Sequence, residues 1–199
     1  FSELILSKSS GQKIAYIAVI TALSVVANMF LEFKMLDVQF SVTLVISALA
    51  GIILGPVCGF AACFIGDTIG FLYNSWGMIY MPWVGLSTGM TAFFAGLVFN
   101  AAKWKFRGAM YVKLALVCML SFFVCSIGIN STGLYFYQKG MGFTAAAVDY
   151  VSEKFGTGVT YFGYVFYRMI FRGQIWNCVV NYALLFALVP LVNKIKPLK

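Results

Sequence analysis

Six apolar runs, separated by short connectors that carry charges or glycines, constrain the fold of this chain more than any other feature. They cover residues 14–31, 40–54, 56–73, 83–102, 110–137 and 161–192. Most are close to the ~20 residues that a helix needs to cross a hydrocarbon core. Only 10% of the 199 residues are charged, against about 25% in water-soluble domains. The pattern predicts an all-α membrane protein, with residues 1–199 forming a single domain of six transmembrane helices.

The distribution of basic residues predicts which way the spans run. With both termini in the cytoplasm, nine lysines and arginines fall in cytoplasmic segments and three in external ones, while Arg168 and Arg172 lie inside the last run and complete the 14. Basic residues concentrate in cytoplasmic loops. We therefore predict cytoplasmic termini, external loops at 32–39, 74–82 and 138–160, and a location in the plasma membrane of a bacterium.

The same composition excludes several classes of function. The net charge of +8 comes from residues at the ends of apolar runs and forms no basic face, so we expect no nucleic-acid partner. The chain has no histidine, which excludes Ser-His-Asp and Cys-His triads and every zinc motif that uses histidine. Its five cysteines are scattered without metal-ligand spacing. We expect no metal, no cofactor and no enzymatic activity.

Asp67 is the one acidic residue inside an apolar run. An ionisable group is costly in lipid, so it is expected to face protein or water and to mark a functional site. Arg168 and Arg172 are spaced by four residues and therefore project from one helical face. We predict that Asp67 is a structural charge that pairs with one arginine.

Two interpretations of the arginines remain open from the sequence. They either face a water-filled pocket, where their planar donors would bind a carboxylate or phosphate, or they extend to the outer membrane interface. Asn177 and Asn181 continue the same helical face, because positions 168, 172, 177 and 181 advance by four, five and four residues. Amides offer both donors and acceptors, which suits a heterocycle.

Polar and aromatic residues near the external ends of the runs complete a predicted pocket for a planar, polar small molecule. Each aromatic residue could instead belong to the interfacial belt or the core. The small and polar first half of the fourth run suits either a cavity lining or close helix packing. The predicted substrate-binding residues are Gln39, Asn74, Tyr80, Trp83, Asn130, Tyr135, Arg168, Arg172, Trp176 and Asn177.

A stripe of alanines follows one face of the first run. Ala15, Ala18 and Ala22 recur at helical spacing, which gives a smooth surface where another helix can approach closely. That helix belongs either to a partner protein or to this chain.

The segment GPVCGFAACFIGDTIGFLYNSWGMIYMPW at 55–83, the six short spans and the alanine stripe together resemble the substrate-binding S component of energy-coupling factor (ECF) vitamin transporters. The segment is most similar to the folate-type group of that family. Trp83 departs from the group's pattern, in which glycine follows the proline at this place. The likeness in architecture covers the whole chain, and the motif covers 55–83.

The resemblance implies a six-helix S-component bundle that captures a vitamin from outside the cell. Folate is the vitamin that the resemblance favours. It implies partnership with a transmembrane T subunit and two ATP-binding-cassette ATPases, with Ala15, Ala18 and Ala22 contacting the T subunit. Release into the cell would follow when the S component topples in the bilayer. The S component itself would perform no covalent chemistry.

Alternatives remain at two levels. The vitamin could instead be pantothenate, riboflavin, cobalamin, or a pyrimidine or queuosine precursor. A different class would be a membrane-embedded lipid-modifying enzyme, with Asp67 as a base and the arginines holding a phosphate, although a single carboxylate without a second acid or a histidine disfavours it. An autonomous secondary transporter is the third class, and the absence of an inverted repeat from the sequence disfavours that.

Overall fold

The computed structural model describes residues 2–35, 38–73, 79–101, 104, 106 and 108–195. The α-helices in this part of the chain are α1 Glu3–Leu6, α2 Ser10–Phe30, α3 Thr43–Leu54, α4 Pro56–Tyr73, α5 Pro82–Ala101, α6 Ala109–Leu120, α7 Thr132–Met141, α8 Ala145–Phe155, α9 Tyr161–Phe166 and α10 Gln174–Ile195. Two π-helical segments, π1 Ser121–Ser131 and π2 Tyr167–Phe171, interrupt them, and two short strands, β1 Glu32–Met35 and β2 Val38–Ser41, precede α3.

The helices confirm the predicted membrane bundle. Among the described residues, five helical stretches are long and apolar enough to cross a bilayer, and α3 is a shorter apolar helix. One of the five is a continuous 33-residue helix, Ala109–Met141, formed by α6, π1 and α7. The orientation of the termini stays a prediction.

The segment predicted as the first external loop is a β-hairpin. Strands β1 and β2 pair antiparallel, with Glu32 opposite Ser41 and Met35 opposite Val38. Because β2 takes up the start of the second apolar run, α3 has only 12 residues. At 1.5 Å per residue it is about 18 Å long, which is shorter than the hydrocarbon core.

The sixth run is two helices, and the prediction of one continuous helix is wrong. The chain passes from π2 to α10 through Gly173, whose φ of 67° lies in the left-handed region that glycine adopts without steric cost. The Gly173 N–H donates to the Ile170 carbonyl at 3.1 Å. The break also leaves α10 with 22 residues, a length suited to one crossing.

Glycines allow α3, α4 and α5 to touch along their backbones. A Cβ added to Gly51 would overlap the carbonyl group of Ala92 on α5. A Cβ on Gly59 of α4 would lie 2.7 Å from the Gly51 Cα, and one on Gly96 would lie 2.5 Å from the Pro56 nitrogen. Such backbone contact is the usual means of tight helix association in lipid.

Helix α1 covers the end of the bundle at which α3 passes into α4. Ile5 of α1 is fully buried there among Ile20, Leu54 and other apolar side chains. The Ser2 N–H donates to the Leu54 carbonyl at 3.1 Å, which satisfies one of the free carbonyls at the end of α3. The opposite end of the bundle, where α2 and α4 finish and α3, α5 and α10 begin, is the end that carries the hairpin.

Candidate functional site

A cavity of about 510 Å³ lies at the hairpin end of the bundle. Its lining comes from α2, β2, α3, α4, the residues before α5, α5 itself, π1, α7, α8 with the residue before it, α9, π2 and the start of α10. Small-molecule sites typically measure about 300–1,000 Å³. The cavity therefore has the size and the mixed polar and aromatic walls of a site for one compact organic ligand.

The cavity brings together half of the residues that the sequence singled out for substrate binding. These are Tyr80, Asn130, Arg168, Arg172 and Asn177. Asp67 lines the same cavity. Asn74 and the side chain of Gln39 lie outside the described residues.

Three predicted substrate-binding residues do not line the cavity. The Trp83 indole packs against α7, where a Cβ on Gly133 would come within 2.6 Å of it, and its ring lies 5.9 Å from that of Tyr137 between centroids. Tyr135 is buried in a ring cluster with Tyr164, beneath α8. Trp176 is 61% exposed, because the break at Gly173 sets a new helical phase for α10.

Both arginines sit in the cavity wall, which favours the pocket interpretation over the interfacial one. Arg168 belongs to π2 and is half-buried, and its Nη1 donates to the Ser131 Oγ at 3.2 Å. Ser131 in turn donates to the Ser126 carbonyl at 2.8 Å, so π1 holds the arginine in place. Arg172 follows π2 directly and is more exposed than Arg168.

Asp67 lies on the α4 wall and is only 6% exposed. Gly85 of α5 makes room for it, since a Cβ there would lie 3.0 Å from Asp67 Oδ2 and 3.1 Å from the Tyr80 hydroxyl. The Tyr80 hydroxyl lies 2.7 Å from Thr68 Oγ1, whose own proton is donated to the Phe64 carbonyl. Tyr80 is therefore the donor in this pair and is fixed beside Asp67.

Asp67→Asn would leave two cationic residues and no anionic one among the described lining residues. We expect the melting temperature in detergent to fall by about 3–6 °C, because an unbalanced charge in a partly buried site costs on the order of 1–2 kcal/mol. Asp149→Asn on the exposed side of α8 is the control and should leave the melting temperature unchanged. Equal melting temperatures for Asp67→Asn and the native chain would contradict the predicted pairing of Asp67 with an arginine.

Asn177 and Asn181 bind backbone groups of this chain, a structural role that the sequence did not predict. The Oδ1 of Asn177 accepts from the Ser41 N–H at 3.0 Å. The Oδ1 of Asn181 accepts from the Val45 N–H at 3.3 Å, and its Nδ2 donates to the Ser41 carbonyl at 2.6 Å. Helix α3 has no side-chain cap of its own at Val42. The two amides thus fasten the hairpin and the first turn of α3 to α10.

Asn181→Leu removes these hydrogen bonds and keeps the number of non-hydrogen atoms in the side chain. We expect the free energy of unfolding to fall by about 1–2 kcal/mol, because the Val45 N–H and the Ser41 carbonyl lose buried partners. The measurement is thermal unfolding in detergent. Asn100→Leu is the control, since Asn100 donates only to the carbonyl of Gly96 in its own helix, which is free to keep its helical partner. Equal losses in the two variants would contradict the role of Asn181.

Several lining residues were not predicted individually. The first half of α5, whose small and polar residues suited either a cavity lining or close helix packing, contributes Ser87, Thr88 and Thr91 to the lining. Gln138 also lines it, because the fifth helix continues to Met141 and not only to residue 137. Nothing in the sequence placed Tyr164 and Tyr167 at the site, since tyrosines near the end of an apolar run usually belong to the interfacial belt.

Comparison with known families gives a match over most of the chain. A family model described as the S component of the ECF-type riboflavin transporter matches residues 8–160 of the 199-residue chain, about three quarters of its length. The match takes in α2 to α8 and ends before Arg168 of π2, before Arg172 and before the whole of α10. Comparison with curated proteins gives no match.

Proposed function

The chain belongs to the family of ECF-type riboflavin transporter S components, and we propose that it captures a planar heterocyclic vitamin in the cavity at the hairpin end of the bundle. An S component is the substrate-binding subunit of a vitamin transporter and not an enzyme. The observation that carries the proposal is the cavity itself, which has the volume of a small-molecule site and two arginines and Asp67 in its lining.

Two vitamins are supported by specific observations. The family description names riboflavin, and the 55–83 segment is similar to the folate-type group. Both molecules have a flat conjugated ring system with polar edges. The cavity offers tyrosine rings for the flat faces, from Tyr80, Tyr164 and Tyr167, and hydroxyl groups for the edges, from Ser87, Thr88 and Thr91.

We further propose that a T subunit and two ATP-binding-cassette ATPases couple the chain to ATP hydrolysis, and that toppling of the S component in the bacterial plasma membrane releases the vitamin. The support is the surface of α2. Ala15, Ala18 and Ala22 are all exposed, so their stripe does not pack inside this chain. Helix α2 is also the least buried of the five candidate spans. A smooth exposed stripe on a lightly buried helix fits a partner helix.

The proposal is tested on the purified chain and on the reconstituted complex. Mass spectrometry of the small molecule that copurifies with the chain, followed by titration with riboflavin and folate, identifies the cargo. Uptake of that vitamin into liposomes should require the T subunit, the ATPases and ATP. Uptake by the chain alone, driven by an ion gradient, would support a secondary transporter instead, and turnover of a lipid by the purified chain would support an enzyme.

A further inference from the structure

We propose that the cavity contains an anion subsite formed by Arg168, Arg172 and the first turn of α10, so that the cargo is bound in an anionic form, as a phosphate or a carboxylate, in preference to a neutral vitamin. The identity of the vitamin rests on the proposed function. The subsite rests on the charges and backbone of this chain.

The charge of the cavity is the first observation. Among the described lining residues, two guanidinium groups stand against one carboxylate, so the lining carries an excess of one positive charge even if Asp67 pairs with an arginine. A charge in a partly buried site interacts more strongly than one in water and needs a partner. Asp67 lies on the α4 wall and the arginines on the wall of π2 and α10, which directs an anion to the arginine side.

The backbone after the arginines is the second observation. Gly173 turns the chain sharply, so α10 starts at Gln174 immediately after Arg172. Gln174 and Asn177 both line the cavity, so the first turn of α10 borders it. The N–H groups at the start of a helix have no carbonyl one turn earlier, and the helix dipole adds partial positive charge there. Such an N-terminus beside two arginines favours an anion.

The donors of the two arginines in the cavity lining are the third observation. Arg168 uses Nη1 to bind Ser131, which fixes the guanidinium and leaves further donors of its five N–H groups for a ligand. Arg172 is the more exposed of the two and is adjacent to the α10 turn. A planar donor set of this kind matches a phosphate or a carboxylate.

The family match does not extend to this wall. It ends at residue 160, whereas the arginines and the α10 turn lie at 168–177. Riboflavin is neutral, and its hydroxyls and ring would leave the excess positive charge without a partner. A flavin that carries a phosphate, or folate with its glutamate carboxylates, supplies that partner.

The experiment measures binding of riboflavin, riboflavin 5′-phosphate and folate to the purified full chain by fluorescence or calorimetric titration. We expect one of the two anions to bind at least about tenfold more tightly than riboflavin, and the preferred anion distinguishes a phosphate from a carboxylate. Arg172→Gln should weaken that anion roughly ten- to hundredfold, the range for hydrogen bonds to charged groups, and change riboflavin binding less than about threefold. Lys154→Gln is the control, because Lys154 is an exposed cation of α8 outside the lining.

Riboflavin binding that equals or exceeds that of both anions would overturn the proposal, and so would an equal loss of all three ligands in Arg172→Gln. If none of the three binds, the proposed choice of vitamins is wrong, and the subsite is tested alone with inorganic phosphate and pyrophosphate. Stabilisation of the native chain against heat that is lost in Arg172→Gln would support the anion subsite. Equal stabilisation of the native chain and of Arg172→Gln would overturn it, and so would the absence of any stabilisation of the native chain.

Discussion

Replacing Gly51 by valine is expected to abolish the folded protein. A Cβ at this position would overlap the carbonyl group of Ala92, and α4 is also packed closely, since a Cβ on Gly59 would lie 2.7 Å from the Gly51 Cα. Neither neighbour is a flexible side chain, so α3 could accept the valine only by separating from α5 and α4. Overpacking of a core usually costs 1–3 kcal/mol, and a clash with backbone exceeds that range and approaches the whole stability of a domain.

The measurement is the yield of monodisperse protein after extraction into detergent, followed by thermal unfolding of whatever is recovered. Gly140→Val is the matched control, since Gly140 lies in α7 with open space around it. That variant is expected to keep the native yield, with a change of only a few tenths of a kcal/mol from helix propensity. A folded Gly51→Val protein with native stability would show that α3 and α5 do not touch at Ala92.

The bundle itself was predictable because lipid imposes a length on every apolar run. Those runs became α2, α4, α5, the 33-residue helix Ala109–Met141 and α10, with α3 as the short sixth. The hairpin was not predictable, because its β2 strand begins with Val38 and continues into the apolar run. The break at Gly173 was also missed, since a glycine inside an apolar run shows nothing of its φ angle in the sequence.

Charged residues were predicted better than amides and aromatic residues at the site. Asp67, Arg168 and Arg172 all line the cavity, because an ionisable group inside an apolar run must avoid lipid. An amide has structural uses as well, and Asn181 serves the backbone of α3. An indole also fills space, and Trp83 does so against Gly133.

The π-helical segments explain why spacing arguments were only partly successful. In a π-helix each N–H bonds to the carbonyl five residues earlier. Residues that share a face at 3.6 residues per turn therefore do not share one in a π-helix. Arg168 lies in π2, and Asn177 follows the break, yet both line the cavity. The prediction of one continuous face from Arg168 to Asn181 named three residues that line the cavity, Arg168, Arg172 and Asn177, but it was wrong in its geometry, and Asn181 does not line the cavity.

Ala18→Trp is expected to retain vitamin binding within about threefold and to reduce uptake by the complex to background. Ala18 is exposed at the centre of the stripe formed with Ala15 and Ala22, and it lies ten residues before Asn28, the residue through which α2 lines the cavity. Association of helices in lipid depends on close van der Waals packing of small residues, so an indole would hold the T subunit away along the stripe. Copurification of the T subunit with the tagged S component measures assembly, and titration of the vitamin measures binding.

Leu23→Trp separates a specific interface from a general effect of a large ring on α2. Leu23 is exposed on the same helix but lies about a third of a turn from the stripe, so its replacement should leave the complex intact. A stable complex with Ala18→Trp would mean that the T subunit binds elsewhere, although vitamin capture would stand. Loss of vitamin binding in Ala18→Trp would instead show that a change at the stripe alters the cavity, which α2 lines through Asn28 near its C-terminal end. Vitamin binding and partner binding would then depend on the same helix.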